Sequence, residues 1–196
     1  RMSSSVSDIS IQLPAWLTSC MAEESKVYAD NITRMQFVLS LAHQNIKHQT
    51  GGPFAAAIFN MENHTLLAAG VNLVVPAHCS MAHAEMIAIS IAQKKLATFD
   101  LGAAGLPHFE LVTSTEPCAM CFGALPWSGI RHLACGARDE DARAIGFDEG
   151  PKMNDWQQAL QQRGISVETD ICRDEAAEGL QSYAAQPGSI YNASQG

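Results

Sequence analysis

Charged residues are scarce in this chain, and basic ones are scarcer than acidic ones. They make up 16% of the 196 residues, with 12 Lys and Arg against 20 Asp and Glu, which gives a formal net charge of -8. Proteins that bind a polyanion such as tRNA usually carry clustered Lys and Arg, and Lys94-Lys95 is the one such cluster here. The charge balance therefore disfavours nucleic acid as a partner and favours a small substrate.

Long apolar runs and closely paired cysteines are also missing. No stretch reaches the ~18 apolar residues of a membrane span, and the Ser-rich residues 1–10 lack the apolar core of a secretory signal. Of the 6 cysteines, Cys118 and Cys121 alone are closely spaced, so the pattern is not a disulfide framework. These absences predict a cytoplasmic protein with no membrane partner.

Apolar residues are abundant enough for one well-buried domain. They make up 47% of the chain, and 196 residues are too few for two ordinary domains. An alanine-rich, lightly charged protein of this size often buries a face against a copy of itself. We therefore expect a homodimer.

Hydrophobic periodicity and turn residues predict five strands among helices. Helices are expected at 14–21, 23–48, 82–96, 118–127 and 154–163, with another from Asp174. Strands are expected at 54–60, 66–72, 109–114, 132–135 and 165–169, the first two as a hairpin. A helix between the fourth and fifth strands implies a right-handed crossover and parallel pairing. The predicted fold is a three-layer α/β/α domain with a mixed five-stranded sheet.

Two short stretches predict a catalytic zinc site. His83-Ala84-Glu85 begins one helix, and Pro117-Cys118-Ala119-Met120-Cys121 begins the next. His83, Cys118 and Cys121 supply the imidazole and thiolates that Zn²⁺ prefers, and three protein ligands leave a position for water, whereas structural sites usually have four. A helix N-terminus also favours ionised thiols. We expect one zinc ion per subunit.

Glu85 is predicted to move protons at this site. It lies two residues from His83, close enough to reach a bound water whose pKa falls toward ~7. It can take the water proton, pass it to a ring nitrogen and later protonate leaving ammonia. His-x-Glu with Pro-Cys-x-x-Cys is the pattern of zinc deaminases.

The Cys118–Cys121 pair has two alternative interpretations. One is a redox dithiol, for which the motif is misplaced in the order of predicted elements. The other is a closed zinc knuckle, which needs a fourth ligand such as His78 or Cys79.

Four further features accompany the zinc motif. Gly51-Gly52-Pro53-Phe54 opens the first strand, Asn72 ends the second, Gly-Ala-Leu-Pro-Trp at 123–127 follows the cysteines, and Ala-Ile-Gly-Phe-Asp-Glu occupies 144–149. With them, most of the chain resembles the cytidine deaminase-like superfamily, and within it the bacterial guanine deaminases. The resemblance implies hydrolytic conversion of guanine to xanthine and ammonia, with side activity on amino-oxo triazines.

The resemblance also implies a purine pocket. Phe54 would stack on the purine, Asn72 would bind its edge through an amide that both donates and accepts, and Ala84 would donate its backbone N–H. Trp127 would wall the pocket, and Tyr191 would close it from the C-terminal tail.

A second carboxylate, Glu149, is implied as well. It would accept from a ring N–H and relay protons to the departing amine, so that it and Glu85 divide the proton transfers. The alternatives left open are a tRNA adenosine deaminase, a cytosine or nucleoside deaminase, and a zinc-stabilised binding module without turnover. We expect residues 1–22 to be a flexible segment with a short helix, 23–173 to be the deaminase domain, and 174–196 to be a helix and a tail that caps the site.

Overall fold

The computed structural model describes residues 8–22, 25–187 and 190–194. Its centre is a five-stranded sheet in the order β2-β1-β3-β4-β5. The strands are β1 (Ala55–Asn60), β2 (Leu66–Val71), β3 (Phe109–Thr115), β4 (His132–Ala137) and β5 (Ser166–Glu168). β1 is antiparallel to β2 and β3, whereas β3, β4 and β5 run parallel. The predicted mixed sheet with parallel fourth and fifth strands is confirmed.

Helices cover both faces of the sheet. They are α1 (Ala15–Met21), α2 (Asn31–Lys47), α3 (Val74–Ala77), α4 (Ala84–Leu96), α5 (Ala119–Ser128), α6 (Asp139–Ala144), α7 (Trp156–Gln161) and α8 (Arg173–Ala185). Side chains alternate along a strand, so Ala57 and Phe59 pack with α1 and α2 while Ile58 packs with α4, α5 and α7. α8 lies beside α2 and over β4. The three-layer prediction is therefore confirmed, and no helix in the described part of the chain is long and apolar enough to cross a bilayer.

The first long helix begins later than predicted. Asp30 caps it, because its carboxylate accepts from the Thr33 N–H at 2.7 Å. Val27, which was expected inside the helix, instead forms a β-bridge with Thr65. The predicted helix start at residues 23–24 lies outside the described residues. Two short helices, α3 and α6, were not predicted.

Gly70 allows α4 to lie very close to β2. A Cβ at this position would come within 2.3 Å of the Ala84 carbonyl oxygen and 2.6 Å of the Ala88 nitrogen. The missing side chain therefore lets the N-terminus of α4 sit against the end of β2. The residues at that N-terminus, His83 and Glu85, are held by this contact near the start of α5, which follows β3.

Candidate active site

Two helix N-termini bring together a three-residue metal-binding group. His83 is the N-cap residue of α4, Cys118 is the N-cap residue of α5, and Cys121 lies in the first turn of α5. The Nδ1 atom of His83 lies 3.5 Å from the Cys118 sulfur and 3.7 Å from the Cys121 sulfur. A tetrahedral zinc ion requires nitrogen–sulfur separations of about 3.6 Å, given its usual bond lengths. The group therefore fits zinc.

The group has the composition of an open site. Within the described residues, His83, Cys118 and Cys121 are its only members, and their ligand atoms lie within 4.8 Å of one another. Three protein ligands leave a coordination position for water or substrate. A hydrogen bond from Cys121 lowers the pKa of the Cys118 thiol to about 4, which favours the thiolate form that a metal binds.

Glu85 points from the first turn of α4 into the buried side of this group. It is 7% exposed, and burial raises the pKa of its carboxyl group. The Thr113 hydroxyl lies 3.4 Å from Oε1 of Glu85 and donates to the Thr115 carbonyl at 2.8 Å. Thr113 therefore borders Glu85 from strand β3 and limits how its carboxyl group can turn.

Glu149 approaches the same group from the loop after α6. Its side chain is 8% exposed, and burial raises its pKa to about 8. The backbone N–H of Ala119 donates to the Glu149 carbonyl oxygen at 2.9 Å. This bond fastens the Glu149 loop to the residue that follows the ligand Cys118. Two carboxyl groups of raised pKa next to a metal group are a typical arrangement for proton transfer.

One cavity connects these residues. It has a volume of about 420 Å³, and its lining includes most of the residues predicted to form the site: Phe54, Asn72, His83, Ala84, Glu85, Cys118, Glu149 and Tyr191. Cys121 is fully buried in the metal group beside Cys118. The lining combines apolar surface with a few converging polar groups, as small-molecule sites usually do.

Aromatic side chains form one wall of the cavity. The ring of Phe147 lies 4.9 Å from that of Phe54 and 5.1 Å from that of Tyr191, edge-on in both pairs. The buried Tyr191 hydroxyl group occupies the space above Gly52, where a Cβ would lie 1.8 Å from its oxygen. Glycine at position 52 is therefore what admits Tyr191 to the cavity.

The site has recognisable relatives. The family model for the cytidine and deoxycytidylate deaminase zinc-binding region matches residues 29–137. The chain belongs to this family. All three metal ligands and Glu85 of the deaminase lie inside the matched region.

Known guanine deaminases are among the proteins most similar to this deaminase. The guanine deaminase of Bacillus subtilis is 36% identical over 117 residues, which are 60% of this chain and 70% of the relative. A structure of the guanine deaminase from Nitrosomonas europaea is 51% identical with a TM-score of 0.88, over 91% of this chain and 97% of that one. The protein NE0047 in complex with 2,6-diaminopurine is 52% identical with a TM-score of 0.89, over 94% of this chain and 97% of that one.

Trp127 of the deaminase does not wall the cavity of a single chain. Its side chain is 85% exposed and is not part of the cavity lining. The helix α5 turns Cys121, Leu125 and Ser128 toward the protein interior, which places Trp127 on the outer face of the same helix. Trp127 therefore lies outside the cavity wall of a single chain, and its role in the substrate pocket stays a prediction.

Phe147 and Thr113 line the deaminase cavity but have no role in the predicted site. Phe147 belongs to the 144–149 stretch that carried the resemblance, but an isolated Phe in a loop shows no periodicity. Thr113 lies in a strand, and alternation along β3 places it on the same side as Thr115, which also lines the cavity. Two threonines two residues apart in a strand, Thr113 and Thr115, are the sequence feature that could have predicted this polar part of the cavity wall.

Proposed function

We propose that this deaminase converts guanine and water to xanthine and ammonia at a zinc site. The observation that carries the proposal is the convergence of two buried carboxyl groups, Glu85 and Glu149, on one cavity beside a three-ligand metal group. The Bacillus subtilis and Nitrosomonas europaea relatives bear the name guanine deaminase, which supports guanine over other heterocycles.

His83, Cys118 and Cys121 would hold the zinc ion. When bound, zinc acidifies a water and makes hydroxide available at neutral pH. The two helix N-termini contribute partial positive charge, which favours the thiolate forms of both cysteines. The rest of the chemistry belongs to side chains around the cavity.

Glu85 would act as the principal proton carrier. Its carboxylate takes a proton from the attacking water and delivers it to the ring nitrogen beside the reacting carbon. It then takes the proton of the hydroxyl group newly added to that carbon and gives it to the amine, so that ammonia leaves as the carbon–nitrogen bond breaks. Burial raises the pKa of Glu85, which makes its protonated form easier to reach during this cycle. Glu149, which lines the same cavity, would accept a hydrogen bond from a ring N–H and assist protonation of the departing amine.

The substrate would lie between an aromatic wall and a polar edge. Phe54 and Phe147 offer apolar faces to a planar base. The Oδ1 atom of Asn72 accepts from the Val74 N–H at 3.2 Å, so Asn72 would use its amide hydrogens for the base. Ala84 is the first residue of α4, and the N–H groups of a first helical turn have no partner within the helix. Its N–H would donate to the substrate.

The C-terminal tail would close the cavity over the base. The side chain of Asn192 donates to the Gly146 carbonyl at 2.9 Å and accepts from the Asp148 N–H at 2.9 Å. These two hydrogen bonds to the backbone hold the tail over the loop that carries Glu149 and place Tyr191 against Phe147. A closed cavity of this size accommodates a free base, whereas a ribose on the base would collide with the tail.

Product analysis over a panel of bases tests the proposal. Zinc-loaded protein should release ammonia from guanine faster than from adenine, cytosine or guanosine. Release from an amino-oxo triazine should be detectable but slower than release from guanine. A gel shift with tRNA separates the tRNA-deaminase alternative, for which a net charge of -8 is unfavourable. If no substrate in the panel releases ammonia, the proposal is contradicted and the protein is a zinc-binding module without turnover.

We further propose that the deaminase is a homodimer. Trp127 and Phe99 are 85% and 84% exposed, and the bond from Leu101 N–H to the Ser128 carbonyl brings their two segments together. Large exposed apolar side chains in one region mark protein–protein interfaces. Trp127→Glu should shift the protein to monomer in sedimentation experiments. Ile32→Glu, at an exposed apolar site on α2, is the control and should leave the dimer intact.

We propose that the protein is located in the cytoplasm. Free thiols are present at Cys79, Cys118, Cys121, Cys135 and Cys172, and free thiols beside a zinc site are typical of reducing compartments. Retention of zinc in the presence of millimolar glutathione is the measurement that checks compatibility with such a compartment. Loss of zinc under those conditions would contradict it.

A further inference from the structure

Lys152 is a buried charged residue that the proposed reaction does not use. Its side chain is 6% exposed. Its ammonium nitrogen lies 3.2 Å from Oδ1 of Asp139 and 3.8 Å from Oε2 of Glu116, and 4.7 Å from the centre of the Trp156 ring. A buried ammonium group is costly unless it is paired, so the two carboxylates explain how Lys152 is tolerated there.

The side chain of Lys152 also binds a backbone carbonyl next to the metal group. Lys152 Nζ donates to the Pro117 carbonyl oxygen at 3.0 Å, and Pro117 immediately precedes the ligand Cys118. Hydrogen bonds from a charged donor are stronger than those between neutral groups. The bond therefore restrains the peptide that joins Pro117 to Cys118.

The backbone of Lys152 continues the loop that carries the second carboxylate, Glu149. The Lys152 N–H donates to the Gly150 carbonyl at 3.0 Å, and the Ala119 N–H donates to the Glu149 carbonyl at 2.9 Å. Arg143 donates to the same Gly150 carbonyl at 2.8 Å. Lys152 and these bonds close a ring that runs from the Cys118 segment through the Glu149 loop and back.

We propose that Lys152 is a positioning residue that fixes the Glu149 loop relative to the metal ligand Cys118. It does so by holding the Pro117 carbonyl with its side chain while its backbone continues the Glu149 loop. The inference rests on the proposed deamination for its effect on turnover, but its effect on metal retention is independent of the substrate. A displacement of about 1 Å at a catalytic constellation can cost 10²-fold in rate.

Lys152→Met tests this role, because methionine keeps an apolar stem beside Trp156 but cannot donate to Pro117. It also leaves Asp139 and Glu116 without their lysine, which destabilises the fold for a separate reason. Asp139 keeps its ion pair with Arg143, so the double variant Lys152→Met/Glu116→Gln neutralises the other acid and isolates the lost carbonyl bond. Lys95→Met is the matched control, since Lys95 on α4 donates to the Leu67 carbonyl of β2 at 2.9 Å in a solvent-exposed contact.

Three quantities are measured on each variant: melting temperature, the rate of zinc transfer to a colorimetric chelator, and kcat with guanine. We expect both Lys152 variants to release zinc faster and to lose about 10-fold or more in kcat, with the melting temperature partly restored in the double variant. Lys95→Met should match the wild type in zinc release and kcat. If Lys152→Met is too unstable to purify, the double variant carries the comparison.

Zinc release and kcat that recover fully in the double variant would overturn the inference, because the unpaired acid would then explain the defect. Wild-type behaviour in folded Lys152→Met would overturn it too. A wild-type protein inactive on guanine would instead contradict the proposed function, and zinc release would still decide the role of Lys152.

Discussion

The backbone N–H of Ala119 donates a hydrogen bond of 2.9 Å to the carbonyl oxygen of Glu149. Ala119 lies between the two cysteine ligands in the sequence, and Glu149 lies 30 residues later in a loop. The bond places a second buried carboxyl group beside the metal group, where the sequence motif itself provides Glu85 alone. The chemistry of the site therefore depends on how this loop is held as well as on the motif.

Replacing Glu149 by glutamine should remove turnover without removing the metal. Glutamine has nearly the same shape but cannot accept and release a proton, and acid–base groups typically contribute 10²–10⁴-fold in rate. We expect kcat on guanine to fall by about 10²-fold or more, with zinc content unchanged by elemental analysis. Glu178→Gln, on the exposed side of α8, should retain wild-type kcat. Loss of zinc from Glu149→Gln would mean that Glu149 acts on the metal group instead.

The same substitution should change how stability depends on pH. Burial raises the pKa of Glu149 from 4.5 to about 8, so between these values the folded protein holds a proton that the unfolded chain has released. Stability then falls as the pH rises from about 4.5 to about 8. Glu149→Gln lacks this proton, so its melting temperature relative to the wild type should rise between pH 5 and pH 8. An unchanged difference across that range would contradict a buried, protonated Glu149.

Removing a metal ligand should abolish zinc binding and activity together. Cys121 is fully buried and has Nδ1 of His83 at 3.7 Å, so Cys121→Ala leaves two ligands for a metal that prefers four-coordinate sites. The variant should purify with little zinc and show no turnover. Cys135→Ala, a buried cysteine in β4 outside the metal group, is the control and should keep its zinc. Zinc retained at wild-type affinity in Cys121→Ala would contradict the ligand assignment.

A methyl group at position 52 should displace the tail. The Cβ of Gly52→Ala would lie 1.8 Å from the Tyr191 hydroxyl oxygen, and overpacking of this kind costs about 1–3 kcal/mol. We expect a higher KM for guanine and a relative gain in activity on guanosine, because the ribose would then find room. Gly179→Ala is the control, since nothing lies within 4 Å of a Cβ there. Unchanged discrimination between guanine and guanosine in Gly52→Ala would show that the tail does not close the cavity.

The architecture was largely predictable because its hydrophobic patterns are strong. Strands β1 to β4 and helices α4, α5 and α8 lie within a few residues of their predicted ranges, and the parallel pairing followed from a helix between two strands. The start of α2 was misplaced because Asp30 caps the helix while Val27 bridges to Thr65. That bridge is a long-range contact, which local periodicity does not reveal.

The metal group could be predicted because its chemistry is contained in two short motifs. The exposed position of Trp127 could not be predicted, since the pattern around it did not show which face of α5 would turn inward. Lys152 and Phe147 depend on contacts between segments far apart in the chain, such as the 3.0 Å bond from Lys152 to Pro117. Spacing within the sequence carries no information about such contacts.

The most direct test of the account measures zinc content, xanthine and ammonia for the wild type and Glu85→Ala side by side. The wild type should form xanthine and ammonia in equal amounts from guanine. Glu85→Ala should retain its zinc, because Glu85 is not one of the three residues in the metal group, and should lose turnover. Full activity in zinc-loaded Glu85→Ala would contradict the mechanism.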